Sequence, residues 1–250
     1  DGVGSAIYAY SNFDTPIVLS AKRQGKTWFF TEKDQAGKET AKLTFQNYNE
    51  KSKQLEGIWK DLISGKELRI NLVKEFEIDY GDNVEWTERE ILQPVSFKDR
   101  YFKLIVSKQK GSFYAAVTGV KILEKKTDKL IQKLDIDCQL WGINNISVDD
   151  YNFDGILDFS VFESSYSGPN TSSLYFLYNP KTGKYFQSSF GGTSLEFDSQ
   201  KKRIYEHNQC CAGSSVMNAE YKVVNNQMVL LKKTCMELNE NGDFIKKKCD

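Results

Sequence analysis

The sequence predicts an all-β protein made of antiparallel meanders, propeller-like or sandwich-like, with few short helices. Three observations predict it. Apolar and polar residues alternate in short runs over nearly the whole chain, the period-2 pattern of half-buried strands. Clusters of Asn, Asp, Gly and Ser separate those runs at hairpin spacing. No long helical pattern occurs, and no repeat of fixed length establishes a regular repeat propeller.

Strand-forming runs occur at Ala6–Tyr10, Ile17–Lys22, Thr27–Thr31, Ala41–Gln46, Leu55–Lys60 and Glu67–Val73. Turn residues at 34–37, 47–50 and 63–65 divide them. Residues 1–80 thus read as an N-terminal β-meander region, with Trp28 and Trp59 as core anchors. Residues 75–96 change character, since Glu75, Glu77, Asp79, Asp82, Glu85, Glu88 and Glu90 are opposed only by Arg89. Within this stretch, 81–96 reads as an acidic linker or a wrapping segment that places a soft boundary here; its acid is a solvated face or a partner site. Residues 97–250 form a second strand series. Its runs are Arg100–Ser107, Ser112–Leu123, Leu130–Ile136, Ile156–Phe162, Leu174–Tyr178, Lys184–Ser189, Ser194–Phe197, Arg203–His207, Ala219–Val224, Met228–Leu238 and Phe244–Lys248. The Lys-rich stretch 121–133 reads as a short helix.

Composition narrows the function classes. The 250 residues bury a large core without obligatory staples. The 34 basic and 34 acidic side chains cancel, and only five of the basic residues are Arg. Arg is the usual fork for phosphates and base edges, so no nucleic-acid partner is expected. No stretch approaches the about 18 apolar residues of a membrane helix, so no transmembrane span is expected. The N-terminus shows no basic-then-apolar leader pattern, so either there was no leader or this is a mature or trimmed chain; the start at a residue other than Met favours trimming, which could also have removed a lipid-bearing Cys. The five cysteines are Cys138, Cys210, Cys211, Cys235 and Cys249, with no zinc-type spacing. Four of them lie at or beyond position 210, which suits disulfides in an oxidising compartment. The expected pairing takes Cys210 or Cys211 to Cys235, with Cys249 taking the other. Free buried thiols are the alternative.

The strongest chemical signal is Asp150-Tyr151-Asn152-Phe153-Asp154-Gly155-Ile156-Leu157-Asp158, a D-x-N-x-D-G-x-x-D pattern. Ca²⁺ takes six to eight oxygens at roughly 2.3–2.6 Å. A chain turning tightly about one point presents alternate residues to it. Asp150, Asn152, Asp154, the Ile156 carbonyl and Asp158 are therefore the expected ligands of a structural Ca²⁺, and Gly155 permits the turn. An EF-hand's twelfth-position Glu is replaced by Val161, and Asp149 or Glu163 is the candidate to complete the shell. Three Asp in nine residues repel one another unless a cation sits among them. The alternative is an Asx turn without metal. After the strand that follows comes a small, polar loop, Glu163 to Ser173. It reads as a recognition loop or as an ordinary connection.

A family resemblance rests on these residues. The run Asp150 to Phe159, the loop Ser167-Gly168-Pro169-Asn170 and the strand Leu174 to Asn179 resemble a family of bacterial extracytoplasmic proteins. Its members include periplasmic, often lipid-anchored immunity proteins that block lysozyme-like effectors. The resemblance covers about 97–230. It implies a calcium-binding, propeller-like β domain, periplasmic or outer-membrane-anchored, with a lysozyme-like peptidoglycan hydrolase as partner. Other lysozyme inhibitors use a Ser-Gly-x-x-Tyr loop. Here Ser167-Gly168 fits, Thr171 takes the place of that Tyr, and Tyr166 precedes the Ser. The residues expected to meet the hydrolase are Tyr166, Ser167, Gly168 and Asn170. A carbohydrate-binding or adhesion module stabilised by calcium is the alternative.

No catalytic role is expected. The single His207 stands three residues before Cys210, but these cysteines suit disulfides better than a nucleophile pair.

Overall fold

Strand alternation sets nearly the whole architecture. The computed structural model describes residues 4–11, 13–79, 81–166 and 169–249. The protein is all-β, and the helical element among the described residues is a single 3-10 turn at Cys211–Gly213. The chain divides into two compact units. One holds Asp1–Ala115 and Val120–Lys133, the other Ala116–Gly119 and Leu134–Asp250.

The first unit opens with a six-stranded sheet in chain order: β1 (Gly4–Tyr8), β2 (Ile17–Gln24), β3 (Thr27–Lys33), β4 (Glu39–Phe45), β5 (Gln54–Asp61) and β6 (Glu67–Val73). Each strand pairs antiparallel with the next. Alternation buries one face, where Leu19, Leu43 and Phe45 are packed by Trp28, Phe30, Leu55 and Trp59. Both tryptophans expected as anchors belong to this core. Gly57 is required here by close approach. A Cβ on it would lie 2.4 Å from the Phe45 ring and 2.7 Å from the Thr44 carbonyl oxygen.

A four-stranded sheet follows in the order β10-β9-β8-β7: β7 (Trp86–Ser96), β8 (Arg100–Lys108), β9 (Ala116–Glu124) and β10 (Leu130–Gln139). β8 is internal and mostly buried, with Phe102, Leu104 and Val106 fully so. The later part of the acidic stretch resolves into the edge strand β7, which holds Glu88 and Glu90, while Glu75, Glu77, Asp79, Asp82 and Glu85 precede it. Residues 81–96 lie inside the first unit, and the division of the chain falls in β9 and β10. Trp86 anchors β7 by burial and by its Nε1 bond to the Asp79 carbonyl, 3.2 Å. Glu90 pairs with Lys121 and with Lys103. Pro94 falls where the β7–β8 register shifts, as a residue without a ladder donor must. The helix expected over 121–133 is absent. β9 turns into β10 there through Lys126 and Asp128, both with φ above 50°. Strand pairing outweighs the lysine-rich local composition.

The second unit carries two more meanders. One is β11 (Ile146–Asp149), β12 (Asp158–Ser165), β13 (Thr171–Asn179) and β14 (Lys184–Gln187), in chain order. The other is β15 (Glu196–Asp198), β16 (Arg203–Cys210), β17 (Ser215–Val224), β18 (Gln227–Leu238) and β19 (Phe244–Lys247), also in chain order. Tyr151, Phe153, Tyr175, Leu177, Phe190 and Ile204 form their shared core. The disulfide links Cys235 to Cys249, with Cα atoms 5.3 Å apart. This corrects the expected use of Cys210 or Cys211. Register explains it: Cys235 faces Lys247 across β18 and β19, which brings the chain end back beside it. Cys138, Cys210 and Cys211 are free, and of these only Cys138 is buried.

Candidate calcium loop and recognition loop

β12 joins the two loops singled out by sequence. At one end, Asp149 of β11 faces Asp158 of β12 and closes the loop between them. Within the loop, alternation sorts the side chains. Tyr151 and Phe153 enter the core, and the Tyr151 hydroxyl meets Ser160 Oγ at 2.8 Å. Asp150, Asn152 and Asp154 take the other phase. Phe153 (φ 64°) and Gly155 (φ 90°) make the turn left-handed.

The carboxylates fold the loop around themselves. Asp150 accepts the backbone N–H groups of Asp154 at 3.0 Å and Gly155 at 2.8 Å. Asp154 Oδ1 accepts from Ile156 N at 2.8 Å. Asn152 donates to Asp154 Oδ2 at 2.9 Å and to Asn226 Oδ1 at 3.0 Å. Asp158 is buried beneath them and accepts from Tyr178 N at 2.8 Å and Tyr151 N at 3.2 Å. Burial is the main force pushing its carboxyl up to about 7. The charges of Asp154 and Asp150 push the same way, against those two N–H bonds. Asp158 thus stands where negative charge is costly and where a cation would relieve the cost.

The expected ligands are on one loop, and all are hard oxygens suited to Ca²⁺. The same loop also satisfies the Asx-turn pattern, and among the described residues no three His, Cys, Asp or Glu gather as a metal-holding group. Asp149 is engaged with Asp150 N at 2.8 Å. Glu163 does not complete the shell. It lies five residues along β12 from Asp158, about 17 Å at strand rise, and its charge acts instead on Cys138.

At the other end of β12, Tyr166 N bonds the Asn170 carbonyl at 2.9 Å and closes the second loop. Tyr166 is 54% exposed. Ser167 and Gly168, expected at the partner surface, lie outside the described residues. Asn170 departs from expectation, because it is buried and committed inward. Its Nδ2 donates to the Gln209 carbonyl at 2.7 Å, and its Oδ1 accepts from Gln209 N at 3.1 Å. It holds the loop rather than reaching out of it. Ser194 adds a second tie, donating its N–H to the Thr171 carbonyl at 2.7 Å.

Sequence reasoning missed several participants. Trp141 is 57% exposed and packs against Phe162 of β12 with ring centroids 5.4 Å apart. Gln139, two residues before it, accepts from Ser165 N at 3.2 Å, so this turn flanks the loop end of β12. Only an aromatic outside any alternating run hinted at Trp141. Nothing in the local sequence marked Asn226 or Gln209 for these roles. His207 Nδ1 lies 2.8 Å from Asn218 Oδ1 in its strand pair. His207 and Cys210 are an odd number of positions apart on β16 and so point to opposite faces. No protein-family model matches this chain, and no curated protein matches it significantly.

Proposed function

We propose that this protein is an extracytoplasmic inhibitor, an immunity protein that blocks the active site of a lysozyme-like peptidoglycan hydrolase and carries a structural calcium ion. The observation that carries the reading is the clamped β12–β13 loop, which presents Tyr166 outward while Asn170 ties its base to Gln209. A lysozyme-type cleft works through a pair of carboxylates. A loop that enters it needs rigidity, hydroxyl donors and apolar area, and Tyr offers the last two together. The exposed Trp141 beside the same end of β12 adds a second aromatic of the kind that dominates binding energy. Calcium in the 150–158 loop would stiffen the opposite end of the same strand. The proposed setting is periplasmic or outer-membrane-anchored, through a lipid outside this chain. The test is lysis of purified peptidoglycan by a candidate hydrolase with and without this protein. Undiminished lysis at stoichiometric excess rejects the reading.

One observation favours a second reading, a calcium-stabilised carbohydrate-binding or adhesion module. The outer face of β4, β5 and β6 bears a groove of about 770 Å³ whose lining includes Gln46, Asn47, Gln54, Arg69 and Asn71. Amides donate and accept together, as sugar hydroxyls require. Retention on insoluble glycan that is lost in Asn71→Ala would support this reading over inhibition.

A further inference from the structure

We propose that Cys210 and Cys211 form a thiol–disulfide exchange site that takes small-molecule disulfides and closes on itself as a vicinal disulfide. The pair stands where β16 ends and the 3-10 turn begins, and both residues are exposed. Their sulfurs are 3.0 Å apart. Non-bonded carbon atoms rest at roughly 3.5–4.0 Å, and sulfur is larger. The two side chains therefore already converge.

The backbone is shaped for that convergence. Cys211 (φ 58°), Ala212 (φ 53°) and Gly213 (φ 88°) are three left-handed residues in a row. L side chains at the two non-glycine positions are disfavoured in that region. Such strain persists where the surroundings over-determine it, and it concentrates at working sites. The surroundings here do so. The Ser214 hydroxyl donates to the Cys211 carbonyl at 2.8 Å, and Cys210 faces Ser215 across the hairpin. The Cys211 thiol beside Cys210, followed by Ser215 and the charge of Lys247, lowers the Cys210 thiol below its ordinary value. This favours Cys210 as the attacking sulfur. Cys138 is the internal contrast, a buried thiol pushed up to about 12.

The exchange balances as follows. The Cys210 thiolate attacks one sulfur of a small disulfide, its S–S bond breaks, and one thiolate leaves. The Cys211 thiolate then attacks the Cys210 sulfur and expels the second. Two protein thiols are oxidised, the small disulfide is reduced to two thiols, and the two protein protons end on them. Neighbouring Cα atoms are held about 3.8 Å apart by the peptide unit. That is less than the roughly 4.4–6.8 Å of ordinary disulfides, so the ring is strained and readily reduced back. Gln209, which anchors Asn170, immediately precedes the pair.

The experiment equilibrates the folded protein with oxidised or reduced glutathione, then denatures it, alkylates it and maps the peptides without reduction. With oxidised glutathione, the expected result is loss of two of the three free thiols. The peptide spanning 210–211 should be two hydrogens lighter and carry no glutathione. Reduced glutathione should restore both thiols and leave Cys235–Cys249 intact. Cys210→Ser and Cys211→Ser should each stop at a glutathione adduct. Unreacted thiols, stable adducts on the unmodified pair, or bridges from it to Cys235 or Cys249 would overturn the proposal. None of these readouts involves a hydrolase, so its outcome is independent of the proposed inhibition.

Discussion

The side-chain amide of Asn170 pairs with the backbone of Gln209 as one strand residue pairs with another, through bonds of 2.7 and 3.1 Å. A side chain completes a ladder that the chain at the loop base does not supply. Asn170→Ala removes both bonds and leaves the part-buried backbone N–H and carbonyl of Gln209 without their partner. About 1–3 kcal/mol per group is the upper scale, set by groups that no water reaches. Urea unfolding checks the stability, and limited proteolysis checks for faster cutting near 166–170.

The exposed aromatics at the same end of β12 give the opposite profile. Tyr166→Ala and Trp141→Ala should change stability little. If they are binding anchors, each should weaken inhibition by about 2 kcal/mol or more, close to 30-fold. Titration of the hydrolase with each variant measures this. Wild-type potency in the double variant would show that the aromatics do not contact the target.

Chelation should lower the melting temperature, and added Ca²⁺ should restore it. A cation present at 100 times its Kd stabilises by about 2.7 kcal/mol. Asp150→Ala should abolish the response, since it removes a proposed ligand and the acceptor for Asp154 N and Gly155 N. A melting temperature indifferent to chelator, together with no metal in the purified protein, would reduce the loop to an Asx turn.

Glu90 makes an acid-side prediction. Its bond from Lys121 is the main cause that holds its carboxyl below the usual 4.5, aided by Lys103 and opposed by partial burial. A depressed carboxyl contributes stability that is full above its unfolded value and fades as pH falls through its folded value. Glu90→Gln should therefore flatten part of the stability loss below about pH 4.5. The pair is partly exposed, so the effect should stay under about 1 kcal/mol. Denaturant midpoints of both proteins from pH 3 to pH 6 measure it.

Gly57→Ala tests the close approach of β4 and β5. The added methyl would meet the Phe45 ring at 2.4 Å and the Thr44 carbonyl at 2.7 Å. Overpacking of this kind costs about 1–3 kcal/mol. A loss below a few tenths would mean that the Phe45 ring moves aside freely.

Much of the local structure was legible without coordinates. The run Glu67–Val73 is β6 residue for residue, and most other runs differ from their strands only at the ends. The D-x-N-x-D-G-x-x-D loop makes the turn its Gly155 permits, with φ 90°. What local sequence left open or missed has a different origin. Residues 121–133 looked helical from their lysines, and 81–96 read as either an acidic linker or a wrapping segment, where the structure has β7. Yet Glu90 is neutralised by Lys121 from β9, a strand two places away in the sheet.

The sequence by itself determined the all-β class, the hairpin order and the oxygen-rich loop, because side-chain alternation and turn preference act over a few neighbouring residues. Only the tertiary structure decided that Cys235 meets Cys249, that Asn170 points inward to Gln209, and that Cys210 and Cys211 converge on each other. Those outcomes depend on which strand lies beside which and in what register. Register is a property of the assembled sheet, and one residue of slip turns every side chain to the other face.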